Sequence, residues 1–346
     1  MSTDVTAEQR LKIATINLFN FIAPPDAYYD FINIYSQEQW QKKCDWIAQY
    51  LLTHQPDVVG FQEVFSIDAL RALMLDAGYP YFAVVDQPEV SDDFIYRSPV
   101  VALASKHLIV DIMPCKLEPK LAVLMGLSDS FQFSRTPLRA TLALPYIGLC
   151  DCYVVHFKSK RGQFGVEQGL ESLGVPATEM QSSFAIEAAA KWSAAIVRGS
   201  EASLLRYAIA KRRAETQHAV VLMGDFNDSL NDGVLVGLTL DDTRLLPSFS
   251  AKGFQEYRLQ DAYQLFEDSH YCPAAIARPA THYHQNQGAV IDYILLSSEF
   301  DPHNDQCLAE VEHYHTYDRH LINPEYARDS HSTDHAPVMI TLRVRQ

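Results

Sequence analysis

Short apolar runs that each end in a polar residue recur along the chain, and no other feature limits its possible folds as much. Ile13-Ala14-Thr15-Ile16 stops at Asn17, and Val58-Val59-Gly60-Phe61-Gln62 stops at Glu63. Tyr153-Val154-Val155 leads to His156, and Val220-Val221-Leu222-Met223-Gly224 leads to Asp225, with Asn227 two residues on. Runs this short and β-rich read as buried strands. A polar side chain at the end of such a strand escapes the core and faces a rim. Asp292 is the sharpest case, because it lies inside Val290-Ile291-Asp292-Tyr293-Ile294-Leu295-Leu296. An unpaired carboxylate there costs several kcal/mol unless it is paired or bound to a metal. Asp292 therefore demands a partner, and a histidine or a metal site supplies one. Asp334-His335 stands in the same position before Ala336-Pro337-Val338.

The segments between these runs read mostly as helices and loops. The first strand is expected at 11–18. Ser36 opens a helix with Gln39 three residues on, a capping-box pattern, and Trp40, Cys44, Ile47 and Leu51 form its buried stripe. A strand at 58–61 and a helix at 67–77, stopped by Gly78, follow. Further strands are predicted at 81–85, 100–104, 138–144, 150–156, 219–223, 290–297 and 337–344. Residues 158–218 read as a loop-plus-helix segment: a turn-rich loop at 160–176, then one long helix over 179–214 or two broken near Gly199. Residues 300–332 read as a polar excursion from the core. Scattered strands with helices between them indicate an α/β sandwich, expected as a single domain over 1–346.

Composition narrows the class. The 346 residues are 48% apolar and 21% charged, which excludes a mainly disordered or collagen-like chain. The formal charge of −15 offers no duplex-binding stripe, yet leaves room for divalent ions between carboxylates and a phosphate. No stretch reaches the roughly 18 apolar residues that cross a bilayer, and the first ten residues lack a signal-like apolar region. A cytoplasmic protein is expected, or a secreted or periplasmic one if a signal has been removed, with a monomer favoured and no stable membrane association. The six cysteines show no zinc-like spacing and are expected to be reduced and mostly buried. Histidines 313, 315, 320 and 331 are assigned to a solvated loop in preference to a zinc site, and Asp92-Asp93 and Asp241-Asp242 to acidic turns.

Six motifs, in order, carry a family resemblance: Ile16-Asn17-Leu18, Gln62-Glu63-Val64, His156-Phe157-Lys158-Ser159, Gly224-Asp225-Phe226-Asn227, Ile291-Asp292-Tyr293-Ile294 and Thr333-Asp334-His335-Ala336-Pro337-Val338. Together they resemble the endonuclease/exonuclease/phosphatase superfamily, and in style its bacterial extracellular-nuclease members. The resemblance implies a four-layer α/β sandwich of the deoxyribonuclease I type, with two packed mixed sheets and the site at one end. It implies Asn17, Glu63 and Asp334 as ligands of Mg²⁺ or Mn²⁺, ions that prefer oxygen donors. Asp225 and Asn227 resemble the pair that positions the attacking water, with room for a second metal. Asp292 and His335 resemble the carboxylate–imidazole dyad, and His156 the second histidine, which contacts the phosphate. That histidine disfavours the abasic-site endonuclease branch.

Cations bear on the substrate. Arg135 precedes a strand where relatives meet a phosphate, and Lys158, Lys160 and Arg161 form the densest basic cluster near His156. Arg206 is either phosphate-facing or solvent-exposed. No nucleophilic serine or cysteine motif is evident, and none is needed. The expected function is a divalent-metal-dependent phosphodiester hydrolase, a nuclease acting on DNA or RNA by in-line attack of an activated water. The alternatives are a phosphatase or phospholipase-C-like esterase on a nucleotide, phosphoinositide or sphingolipid, and a catalytically inactive binding module. An exposed apolar hairpin would favour the lipid esterase, and none is evident.

Overall fold

Alternation along the apolar runs decides the layers of the computed structural model, which describes residues 9–174, 176, 180–231, 233–239, 251–272 and 277–345. The chain first forms β1 (Arg10–Phe21), β2 (Val58–Val64), β3 (Tyr81–Ala83) and β4 (Val100–Ser105). It crosses to a second sheet for β5 (Ile109–Pro114), β6 (Leu138–Leu144), β7 (Gly148–His156), β8 (Ala219–Asp225), β9 (Gln260–Asp261) and β10 (Asp292–Leu296). It then returns to the first sheet for β11 (Ala309–Thr316) and β12 (Val338–Val344). The two six-stranded sheets run β11-β12-β1-β2-β4-β3 and β9-β10-β8-β7-β6-β5. Both are mixed: β1 pairs with β2 in parallel and β12 antiparallel, and β7 pairs with β8 in parallel and β6 antiparallel.

Ile13, Val58 and Leu103 from the first sheet share one core with Cys152, Val154, Val221 and Ile294 from the second. Their alternate neighbours Ala14, Val59 and Phe61 pack outward on α1 (Gln37–His54) and α2 (Ile67–Asp76), against Ile47, Leu51, Leu70 and Met74. On the far side Tyr153, Val155, Val220 and Leu222 meet a helical layer. This layer contains α3 (Val166–Leu173) and the long α4 (Met180–Thr216), with Ala202, Leu205 and Ile209 at the contact. The four-layer α/β sandwich follows from period-two alternation in strands that each have apolar partners on both faces. The capping box forms as the sequence requires: Ser36 Oγ accepts from Gln39 N, and Gln39 Oε1 accepts from Ser36 N.

Two expectations about the segments are corrected, and of the two readings of the helical stretch the single long helix is the one found. The 160–176 stretch is not all loop, since it contains α3. Residues 180–216 form one unbroken helix, and Gly199 serves packing rather than a break: a Cβ there would lie 2.9 Å from Val234 Cβ. The 300–332 segment is not simply an excursion, because β11 lies within it and pairs with β12 at the sheet edge. Its alternation is disguised by Glu310 and Glu312, both buried, which are neutralised by Arg345 and Arg10. His313 and His315 are therefore strand residues on an exposed face, while His320 is buried and packs on Trp46. Asp241-Asp242 lies outside the described residues. All six cysteines are free. Among the described residues no helix is long and apolar enough to cross a membrane.

Gly224, one residue before Asp225, has φ +147°, and a Cβ built there would lie 2.0 Å from the Val155 carbonyl oxygen. That oxygen belongs to the neighbouring parallel strand and cannot move without breaking the ladder. Gly224→Ala is expected to lower unfolding free energy by at least about 3 kcal/mol, read from urea denaturation.

Candidate active site

The polar strand ends converge where the two sheets open at one end of the sandwich. In the second sheet, Asp225 at the end of β8 stands directly opposite Asp292 at the start of β10 and in register with His156 on β7. All three are buried. From the first sheet, Asn17 on β1, Glu63 on β2 and the Thr333–His335 stretch before β12 face the same seam. Thr333 Oγ1 donates to Asn17 O at 2.6 Å, and Glu63 Oε2 accepts from Asn20 N at 2.9 Å. Four non-glycine residues here hold left-handed backbone: Phe19, Asn20, Glu63 and Asn227 have φ of 48°, 57°, 60° and 57°. Strain of this kind clusters where side-chain placement has priority over local comfort.

Asp225 Oδ2 is the hub. It accepts from Asn17 Nδ2 at 3.1 Å and Asn227 Nδ2 at 3.2 Å, and lies 3.4 Å from His156 Nε2 and 3.9 Å from His335 Nε2. His335 Nδ1 is 2.9 Å from Asp292 Oδ2. Burial works against a charged His335, but the Asp292 and Asp225 carboxylates outweigh it and hold its pKa well above the usual imidazole range. Asp225 is pushed up to about 7, chiefly by burial and by the Asp292 charge, against the opposing pull of His335. His156 is held well below its usual pKa by burial and by the positive charge of Arg135 and His335, and its Nδ1 is buried without a partner. One imidazolium and one neutral imidazole thus flank a carboxyl group poised near neutrality.

Asp334 is half-buried, and its Oδ1 has no hydrogen-bond partner. Its pKa is raised by burial, with His335 opposing and the charge of Glu63 reinforcing. His282, Asp334 and His335 each offer a ligand atom within 4.8 Å of the others, as do Asp225, Asp292 and His335. With Nδ1 taken up by Asp292, the His335 ring has only Nε2 left to offer. The oxygen donors Asn17, Glu63 and Asp334 suit a hard divalent ion.

The basic residues reach the site from the β7 side. Arg135 and Lys158 lie close enough to lower the His156 pKa, and Arg135 Nη1 points to Phe157 O at 3.5 Å. Lys158 Nζ donates to Arg161 O, whereas Lys160 is paired with Asp228 at 3.0 Å. Arg206 is neither phosphate-facing nor exposed: it is buried on α4 and donates to the carbonyls of Leu238 and Tyr257. Helix α4 instead supplies residues that sequence reading missed. Buried Glu201 accepts from Ser134 N at 2.6 Å and Lys158 N at 2.7 Å, clamping the two loops that carry Arg135 and Lys158. Arg198 donates to Lys158 O at 3.1 Å and to Asp228 at 2.6 Å.

Thr281 and His282 were also missed. Thr281 Oγ1 accepts from Asp292 N at 3.1 Å, and Thr281 O accepts from Ala336 N at 2.7 Å, so one residue ties the two arms of the dyad together. The His282 ring lies 4.9 Å from that of His335. Lys43 on α1 is buried, donates to Ser332 O at 2.8 Å, and is brought down to about 8 by burial against the charges of Asp334 and Glu63. No local pattern marks these residues, since each acts on a segment far away in sequence.

The chain belongs to the Endonuclease/Exonuclease/phosphatase family, whose model matches residues 32–335. Solved structures of the same fold include the human Nocturnin catalytic domain with bound sulfate anion, at 15% identity and TM-score 0.57, covering 97% of this chain and 95% of that one. A family member from Bacteroides vulgatus aligns at 16% identity and TM-score 0.55, covering 98% and 100%. An AP endonuclease from Archaeoglobus fulgidus aligns at 14% identity and TM-score 0.51, covering 95% and 98%. Identities this low speak to the fold alone. A search of curated protein sequences finds no match.

Asp225 carries a testable charge. Its folded pKa of about 7 exceeds the ordinary carboxylate value near 4, so in metal-free protein its contribution to stability is full at low pH and is lost as pH rises through that window. Asn cannot ionise. Asp225→Asn should therefore gain stability relative to wild type by about 1 kcal/mol per pH unit between pH 4 and 7, then level off. Urea denaturation in chelator across this range measures it.

Proposed function

We propose that the chain is a divalent-metal-dependent phosphodiester hydrolase acting on nucleic acid, a nuclease that uses an activated water in line with the leaving oxygen. The observation that carries this reading is the Asp292–His335–Asp225–His156 line, four buried groups in contact, in which the His335–Asp292 hydrogen bond and the shifted pKa values of His335, Asp225 and His156 match proton handling at an anionic ester. A retired binding module has no physical need for such a cluster of mutually strained ionisable groups. Family membership supports a phosphoester hydrolase.

Asn17, Glu63 and Asp334 would hold Mg²⁺ or Mn²⁺, and the partnerless Asp334 Oδ1 fits that role. When bound, the ion supplies positive charge to the phosphate and to the departing oxygen. The remaining work falls to side chains of the chain. Asp225, fixed by Asn17 and Asn227, orients the attacking water and accepts its proton, for which a pKa of about 7 is well matched. Asp292 fixes the tautomer of His335 and sustains its charge, which leaves Nε2–H to donate to the reacting phosphate. His156 contacts the phosphate from the adjacent strand, and Arg135 and Lys158 bind flanking non-bridging oxygens.

A phosphodiester lipid is the second reading. It is favoured by an exposed apolar loop beside the site, where Phe31 is 64% and Ile32 71% exposed, a feature not evident in the sequence.

A screen of plasmid, single-stranded DNA, RNA, bis-p-nitrophenyl phosphate and lipid vesicles separates the readings. Nucleic acid and the small diester should be cleaved with Mg²⁺ or Mn²⁺, and chelation should abolish turnover. Full activity in excess chelator would sink the mechanism. Within the site, His335→Ala and Asp292→Asn should each lower kcat by about two orders of magnitude or more. The double variant should be no more than a few-fold worse than the more damaging single one, because the pair acts as a unit. Losses that multiply, in protein with wild-type circular dichroism, would refute the dyad.

A further inference from the structure

Beside the reaction centre lies a cavity of about 470 Å³ that the mechanism above leaves unused. Its size falls within the range of small-molecule pockets. Asp334 lines it, so one wall of the cavity is a residue of the proposed site. Phe19, Tyr28 and Tyr35 supply aromatic walls, and Phe19 is 39% exposed despite its left-handed backbone. Lys43 Nζ sits 5.7 Å and 5.6 Å from the Phe19 and Tyr35 ring centres, with no carboxylate of the described residues within ion-pair distance.

The polar lining is equally specific. Gln39 Oε1 is engaged in the helix cap, which leaves Nε2 as a free donor. Asn33 Nδ2 donates to Tyr28 O, which leaves Oδ1 as a free acceptor. Aromatic walls with an amide donor and an amide acceptor, in a lining that also holds Lys43, His331 and Asp334, match a nucleotide, whose base has two π-faces and a polar edge. An acyl chain in the same space would bury those amides unpaired.

We infer that this cavity is a nucleoside subsite, taking the base and sugar of one unpaired nucleotide while its phosphate lies toward Asp334. The inference rests on the phosphodiesterase reading and narrows it. A base inside a duplex cannot enter without leaving its stack, so single-stranded or free nucleotides are the fitting substrates.

The test uses the catalytically disabled His335→Ala protein in Mg²⁺, with 2-aminopurine riboside 5′-monophosphate and a single-stranded oligonucleotide ending in 2-aminopurine as fluorescent probes. Both should show saturable quenching on stacking; quenching of the oligonucleotide alone would place recognition in the strand rather than in a free nucleotide. Adding Phe19→Leu or Tyr35→Leu should each weaken binding about tenfold or more, with little change in Tm. Tyr35→Leu keeps the test readable if Phe19→Leu disturbs the strained turn. Absence of quenching with both probes, or affinities unchanged in both variants, would overturn the subsite. Binding of phosphatidylcholine vesicles in place of both probes would overturn it in favour of a lipid. Wild-type turnover of bis-p-nitrophenyl phosphate separates the two ideas. Turnover without stacking removes only the subsite, whereas no turnover on any substrate removes the phosphodiesterase reading and leaves quenching to decide the subsite alone.

Discussion

Two carboxylates face each other across an antiparallel ladder, and the site is organised around that conflict. Asp225 and Asp292 are directly paired in register, both buried. Like charges opposite one another destabilise a sheet, and burial makes the repulsion worse. The conflict is relieved from outside the sheet. His335, carried by the first sheet, inserts its ring so that Nδ1 meets Asp292 and Nε2 approaches Asp225. The charge that keeps the second sheet tolerable is therefore supplied by the first, and the mating of the sheets and the assembly of the site are one event.

Much of this was legible in the sequence because it is local. A polar residue ending an apolar run marks a rim, and Asn17, Glu63, His156 and Asp225 lie on the same seam for that reason, while Asp292, embedded in an apolar run, was marked by its need for a partner. The Ser36 cap was readable because both partners are three residues apart. What stayed hidden depends on distant partners. Strand β11 was obscured by Glu310 and Glu312, whose arginines come from residues 345 and 10. Thr281 matters only because Asp292 and Ala336 both come to it. Arg206 was misjudged in both directions, since its partners near 238 and 257 follow it by more than thirty residues.

The long helix α4 resolves an apparent contradiction in the charge. A chain of net charge −15 still presents Arg135 and Lys158 beside His156. Glu201 holds both loops by their backbone amides, leaving the cationic side chains directed elsewhere. An acidic residue beneath the loops thus fixes the position of the basic ones without cancelling them by direct pairing.

Strand β12 lies between β1 and β11 in the middle of its sheet. During synthesis on the ribosome, β1 emerges long before the strand that covers its free edge. Until residues 338–344 arrive, the first sheet is split, with unpaired backbone along β1 and β11, a template for association between nascent chains. The same late segment brings His335, so the buried aspartates lack their counter-ion throughout that interval. A chain without residues 335–344 therefore has an open β1 edge and an Asp225–Asp292 pair without its histidine.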